Sequence, residues 1–129
     1  MMRRKDLDKC QYCESGLSIV SGEVIYGPGR YADLRFYACL PCKAWVGTHK
    51  GTLTPLGTVA NAALRRARRD AHAAFDPLWR EGRTTRGGAY RWMRRALGLR
   101  KHEAHIALFS ESQCRALIQE VEALEAPRG

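Results

Sequence analysis

Two Cys-x2-Cys pairs, Cys10/Cys13 and Cys39/Cys42, constrain this chain more than any other feature of its sequence. A turn of this kind sets two thiolates about 3.5–4 Å apart, the edge of a tetrahedron built on Zn–S bonds of about 2.3 Å. Two such turns complete the tetrahedron. The residues between the pairs read as β segments that return the second turn to the first. Two redox dithiols are the competing reading, and they fit poorly with pairs that bound a single hairpin. Four protein thiolates leave no position open for water, so the pattern predicts one structural Zn2+ ion. Glu14 follows Cys13 where zinc turns commonly carry glycine, a departure that leaves the ligands untouched. The fifth cysteine, Cys114, falls on the apolar face of a predicted helix and reads as a core residue.

A staple suits a chain of this size. With 129 residues, 45% of them hydrophobic, the chain supports one compact domain or a small domain with an appendage, and its core is modest. No run of about 18 apolar residues occurs, so no membrane span is predicted. The start, Met1-Met2-Arg3-Arg4-Lys5-Asp6, has no apolar stretch behind it and does not read as a secretory signal. The chain is therefore read as cytoplasmic, where thiols stay reduced and ligate metals in preference to pairing.

The pattern of turns and apolar residues predicts an α+β fold, a zinc-ribbon-like β module (1–57) followed by a basic region of about three helices (58–129) packed on it. Leu17–Val20, Glu23–Tyr26, Leu34–Tyr37 and Ala44–Gly47 are the strand candidates, with a turn at Gly27-Pro28-Gly29. A first helix is expected from a Thr58 N-cap to about Arg80, kinked or re-capped at Pro77 and stopped by Gly82. Ala60, Leu64, Ala67, Ala71, Phe75 and Leu78 form its buried stripe, and Asp76 reads as a local cap. Thr84 or Thr85 caps a second helix that ends at Gly98, with Ala89, Met93, Ala96 and Leu97 inward. Ser110-x-x-Gln113 reads as the capping box of a last helix carrying Cys114, Leu117, Ile118, Val121 and Leu124 on one face.

The formal charge of +9 is concentrated. From Thr58 to Lys101 there are eleven Arg and one Lys against Asp70, Asp76 and Glu81. Arginine's planar fork suits phosphate better than lysine's point charge does, so this segment carries the electrostatic footprint of a nucleic-acid binder. Solubility, or an acidic protein partner, is the blander account. Arg65, Arg69 and His72 fall on one flank of the first helix, with Arg68 at the border of its apolar face. Arg91, Arg94 and Arg95 fall on the outer face of the second.

Beyond these patterns the sequence resembles a family. Tyr37-x-Cys39-x2-Cys42-x-Ala44-x-Val46-Gly47-x-His49 begins the match, and Pro55-Leu56-Gly57-x2-Ala60-x3-Leu64-Arg65-x2-Arg68 continues it. Ala71-His72-x2-Phe75-Asp76-Pro77-Leu78-Trp79, then Tyr90-x-Trp92 and His105-Ile106 complete it. These motifs resemble the "zinc-finger-containing domain" proteins of bacteria and their phages. A glycine is usual soon after the His-Ile pair, where this chain has Ala107. The resemblance implies one zinc site and a phage or prophage setting, hence a host cytoplasm. It supplies no activity.

Three further groups of residues bear on function. His49, Asn61 and His72 come in the order of a His-Asn-His nuclease. Both cysteine pairs precede them, however, and Asn61 and His72 are expected about 16 Å apart on one helix. His102 and His105 flank Glu103, and exposed loop histidines are the simpler account than a second metal site. Trp45 is the best candidate for stacking on a base, whereas Trp79 and Tyr90 read as core anchors. His49 reads as a turn residue or a phosphate contact. The sequence thus points to a non-enzymatic, zinc-stabilised binder of DNA or RNA, with Arg65, Arg68, Arg69, His72, Arg91, Arg94, Arg95, Trp45 and His49 as candidate contacts. The alternative is a phage-encoded modulator or inhibitor that binds a host protein.

Overall fold

A computed structural model describes residues 9–125. The fold is α+β, as the sequence predicts: a three-stranded antiparallel sheet with the cysteines, then the helices. The chain divides into two compact units, one ending at Ala62 and the other starting at Ala63.

In the first unit, β1 (Ser18–Ser21), β2 (Arg35–Cys39) and β3 (Ala44–Gly47) pair in the order β1-β2-β3. The register sets Val20 opposite Phe36, and Phe36 opposite Gly47. Trp45 is opposite Ala38, so by the two-residue repeat of a strand it shares a face with Phe36. The opposite face carries Cys39 and Ala44, which are buried together with Cys10.

Glu23–Tyr26, expected as a strand, is instead the end of a short helix, α1 (Gly22–Tyr26). The reason lies in partners distant in sequence. The Gly22 N–H donates to the Leu34 carbonyl at 2.8 Å and the Glu23 N–H to that of Ala32 at 3.3 Å. These contacts bring the chain so close that a Cβ on Gly22 would lie 1.6 Å from the Tyr31 carbonyl oxygen. A short apolar run such as Val-Ile-Tyr has no periodicity long enough to resist this.

Thr58 is not a helix cap. The segment after it is extended: Ala60 exchanges both backbone hydrogen bonds with Trp45, at 3.0 and 3.1 Å. The Gln11 side chain donates to the Val59 carbonyl, and the Asn61 N–H donates to the Tyr12 hydroxyl at 3.2 Å. The helix α2 (Ala62–Phe75) begins only beyond these anchors. Asn61 therefore precedes the helix that carries His72, contrary to the expectation that one helix holds both.

In the second unit, Pro77 divides the expected long helix. It has no N–H to donate to the preceding turn, and it opens a separate short helix, α3 (Pro77–Arg80), at the position where proline is best tolerated. Asp76 does not cap α3 with its side chain. Its backbone is helical, and its carboxylate bonds His72 at 3.2 Å, with the Arg80 guanidinium further off at 3.8 Å. Helix α4 (Arg86–Leu97) starts where the Thr85 hydroxyl accepts the Gly88 N–H at 3.0 Å. It stops at Gly98, left-handed at φ 65°, with the Leu99 N–H returning to the Arg94 carbonyl. The 3-10 turns Lys101–Glu103 and Ile106–Leu108 lead to α5 (Glu111–Glu125). Ser110 and Gln113 form the anticipated reciprocal box, at 3.2 and 2.9 Å.

The core of this unit joins Phe75, Leu78, Met93, Ile106, Phe109, Cys114, Leu117 and Val121. Phe75 meets the half-buried Tyr90 edge-on, with centroids 5.1 Å apart. Leu124, expected inward, is half exposed in the last turn of α5.

Candidate metal centre and basic surface

Each cysteine pair sits in a turn that local hydrogen bonds close. The Glu14 N–H donates to the Cys10 carbonyl at 2.8 Å, and the Cys10 N–H to the Ser15 carbonyl at 2.7 Å. Cys39 ends β2, and Cys42 lies in the tight connection to β3, where the Lys43 N–H donates to the Leu40 carbonyl at 3.0 Å. The residue after the second cysteine is left-handed in both turns: Glu14 at φ 63° and Lys43 at φ 52°. That conformation explains the usual glycine there, and both positions accept the strain of a side chain.

The four Sγ atoms lie within 4.8 Å of one another, and Cys13 and Cys39 are 3.6 Å apart. A tetrahedron with Zn–S bonds of about 2.3 Å has edges of about 3.8 Å, so the donor set fits the ion. The Tyr12 N–H points at Cys10 Sγ from 3.4 Å. Cys10 and Cys39 are buried, Cys42 is half-buried and Cys13 is exposed. Among the described residues this is the one group of three or more His, Cys, Asp or Glu placed to share a metal ion.

Proton affinity is unequal among Cys13, Cys39 and Cys42. Hydrogen bonds from the Ser15 side chain and backbone, reinforced by Cys42 and Cys39, bring the Cys13 thiol down to about 6. Cys42 is pushed up to about 12, first by the hydrogen bonds it shares with Cys13 and Cys39, then by burial. At Cys39 a backbone hydrogen bond at Cys42 lowers the value, but burial and the neighbouring thiols outweigh it and the net direction is upward. Crowded thiols resist losing a second proton to water, and a dication removes that resistance. Cys114 stands apart, buried in the helical core, where desolvation pushes its thiol up.

Residues 6–124 match the zinc-finger-containing domain family. The chain belongs to that family. No curated protein and no solved structure matches it. The family and the cysteine cluster together identify a small protein stabilised by one structural zinc ion. Among the described residues, no helix is long and apolar enough to cross a membrane.

The arginines singled out from sequence divide into two groups. Arg69, Arg91 and Arg95 are exposed. Arg65 is half-buried, and Arg68 donates from Nε to the Phe109 carbonyl at 3.1 Å, joining α2 to the turn before α5. The Arg94 Nε is buried and meets no acceptor. His72 is exposed, with Nδ1 3.2 Å from both Asp76 carboxylate oxygens. His49 is a turn residue whose N–H donates to the Thr54 carbonyl at 2.9 Å. Trp45 is half-buried, its indole N–H on the Tyr26 hydroxyl at 3.1 Å and its ring edge-on to Tyr26.

Sequence reasoning passed over two arginines. The Arg80 guanidinium lies over the Trp79 ring at 5.2 Å. Arg86 lies over the same ring at 5.6 Å and over Tyr90 at 5.0 Å. The Arg86-x3-Tyr90 spacing, one helical turn, was the available signal for half of this arrangement. The Trp79 half depends on the turn at Gly82.

Proposed function

We propose that this protein is a non-enzymatic, zinc-stabilised nucleic-acid binder of phage or prophage type that grips phosphates through its helical unit. The observation that carries the reading is the set of exposed arginines on two helices, Arg66 and Arg69 on α2 and Arg91 and Arg95 on α4. The carboxylate of Asp76, one of few acids in this stretch, is already engaged by His72. Contacts of this kind hold the backbone of DNA or RNA without reading sequence. Zinc keeps the β module rigid and takes no part in chemistry, since four thiolates close its coordination.

The test is binding of zinc-loaded protein to labelled duplex DNA, single-stranded DNA and RNA across a salt series. Affinity should fall steeply between about 50 and 200 mM salt as counterions compete for the phosphates. Absence of binding to all three at low salt would overturn the reading.

A second reading, modulation of a host protein, draws on the exposed Tyr26 and Tyr31 of the zinc module, whose ring centroids lie 5.5 Å apart. Apolar side chains clustered at a surface suit a protein partner better than a phosphate backbone. A stoichiometric partner that survives nuclease treatment of a lysate would favour it.

A further inference from the structure

We propose that Arg80 and Arg86, held on the ring faces of Trp79 and Tyr90, form a two-phosphate grip on a nucleic-acid backbone. This rests on the nucleic-acid reading above and names its principal contact.

Several arginines of the helical unit are already engaged within the fold. Arg83 is bound to the Glu125 carboxylate at 3.0 Å. Arg68 is committed to the Phe109 carbonyl, and the Arg94 Nε is buried. Each of these three has at least one donor atom engaged or buried. Arg66, Arg69, Arg91 and Arg95 are exposed but long and flexible, and must lose rotamer freedom to hold a phosphate.

Arg80 and Arg86 differ from both groups. An aromatic ring face attracts a guanidinium through the ring quadrupole and orients it without using its N–H donors. Two guanidiniums share the Trp79 ring at 5.2 and 5.6 Å, and Arg86 has Tyr90 as a second support at 5.0 Å. The supporting rings are themselves fixed, since both are half-buried against the helical core. The Asp76 carboxylate bonds His72 at 3.2 Å and reaches Arg80 only at 3.8 Å, leaving the Arg80 side chain 67% exposed. Like charges brought to one ring repel, and an anion between or beside them relieves that repulsion.

The ligand class follows from the same geometry. The rings are taken up by guanidiniums and core, so they offer no face to a base. What remains outward is a pair of forked donors, matched to phosphodiester oxygens and indifferent to sequence.

The test uses the full-length, zinc-loaded chain and the nucleic acid it binds most tightly. Three double variants are compared: Arg80→Gln/Arg86→Gln, Arg80→Lys/Arg86→Lys, and the charge-matched Lys101→Gln/Arg115→Gln, whose residues are exposed and lie off the stack. The glutamine pair should weaken binding about tenfold or more and reduce the log–log salt slope by about two. The lysine pair keeps the charge but not the planar stack, and should weaken binding about three- to tenfold with the slope unchanged. Unaltered thermal unfolding of each variant reports an intact fold. A glutamine pair no weaker than the Lys101/Arg115 control, or a lysine pair equal to the unmodified protein, would overturn the grip while leaving the nucleic-acid reading in place. An unmodified protein that binds no nucleic acid at low salt would remove both.

Discussion

In residues 9–62 the most deeply buried side chains are small: Cys10, Ala38, Cys39, Ala44 and Ala60. In residues 63–125 they include Phe75, Met93, Phe109 and Leu117. The helical unit can be held by apolar burial, at about 25 cal/mol per Å2 of apolar surface removed from water. The zinc module has less apolar burial to draw on, because its innermost positions are occupied mostly by thiols and methyl groups. Phe36, Val46 and Val59 are buried there, but several large apolar side chains, such as Tyr26 and Ile19, lie at the surface. A metal supplies there what packing supplies elsewhere. Two units of one short chain thus reach stability by different chemistry, and they should fail under different insults.

The sharpest break in the comparison is removal of the metal. Metal analysis of purified protein should give close to one zinc per chain. Structural zinc binding is worth about 10–16 kcal/mol at neutral pH. Chelation, acidification (protons compete for the thiolates) or Cys39→Ser should therefore unfold the β module, seen as collapse of its amide dispersion, while helical circular dichroism persists. A Cys39→Ser protein without metal but with dispersed strand signals would falsify the structural assignment of the ion.

Phe75→Ala strikes the other unit. Phe75 is fully buried and packs on Tyr90, and emptying such a site costs about 3–5 kcal/mol. Denaturant unfolding should show the loss in the helical transition, with zinc content still near one per chain. Loss of zinc in this variant would mean that the two units do not fail separately.

Gly22→Ala tests the close approach within the zinc module. The added Cβ would meet the Tyr31 carbonyl oxygen at 1.6 Å, so the backbone must move. The expected cost is about 1–3 kcal/mol, read as easier zinc loss to a chelator. The smallest effect is that of Ser110→Ala, which removes the α5 cap at about 1 kcal/mol and should lower only the helical transition.

How much of this was legible beforehand depends on how far apart the partners are. Each Cys-x2-Cys pair, the cap at Thr84 or Thr85 (Thr85 in the structure), the Gly98 stop and the Ser110/Gln113 box rest on residues at most a few positions apart, and each reads from spacing. The strand-like Glu23–Tyr26 and the helix-like Thr58–Asn61 were misread because their hydrogen bonds go to distant segments. For the first the partners are Ala32 and Leu34, and for the second Trp45, Gln11 and Tyr12. Helical periodicity placed Arg65, Arg68 and Arg69 near one face, but only the Phe109 carbonyl explains why Arg68 is a structural tie.

The amino-acid sequence by itself determined the donor set for zinc, the α+β order, the stop of α4, the start of α5 and the sign and place of the charge. These follow from chemistry local along the chain: thiolate spacing, side-chain caps and left-handed glycine. Tertiary structure alone decided which arginines are spent inside and which lie outward on aromatic rings. Burial and ring stacking are set by what the fold brings alongside a side chain, as the turn at Gly82 brings Arg86 to Trp79.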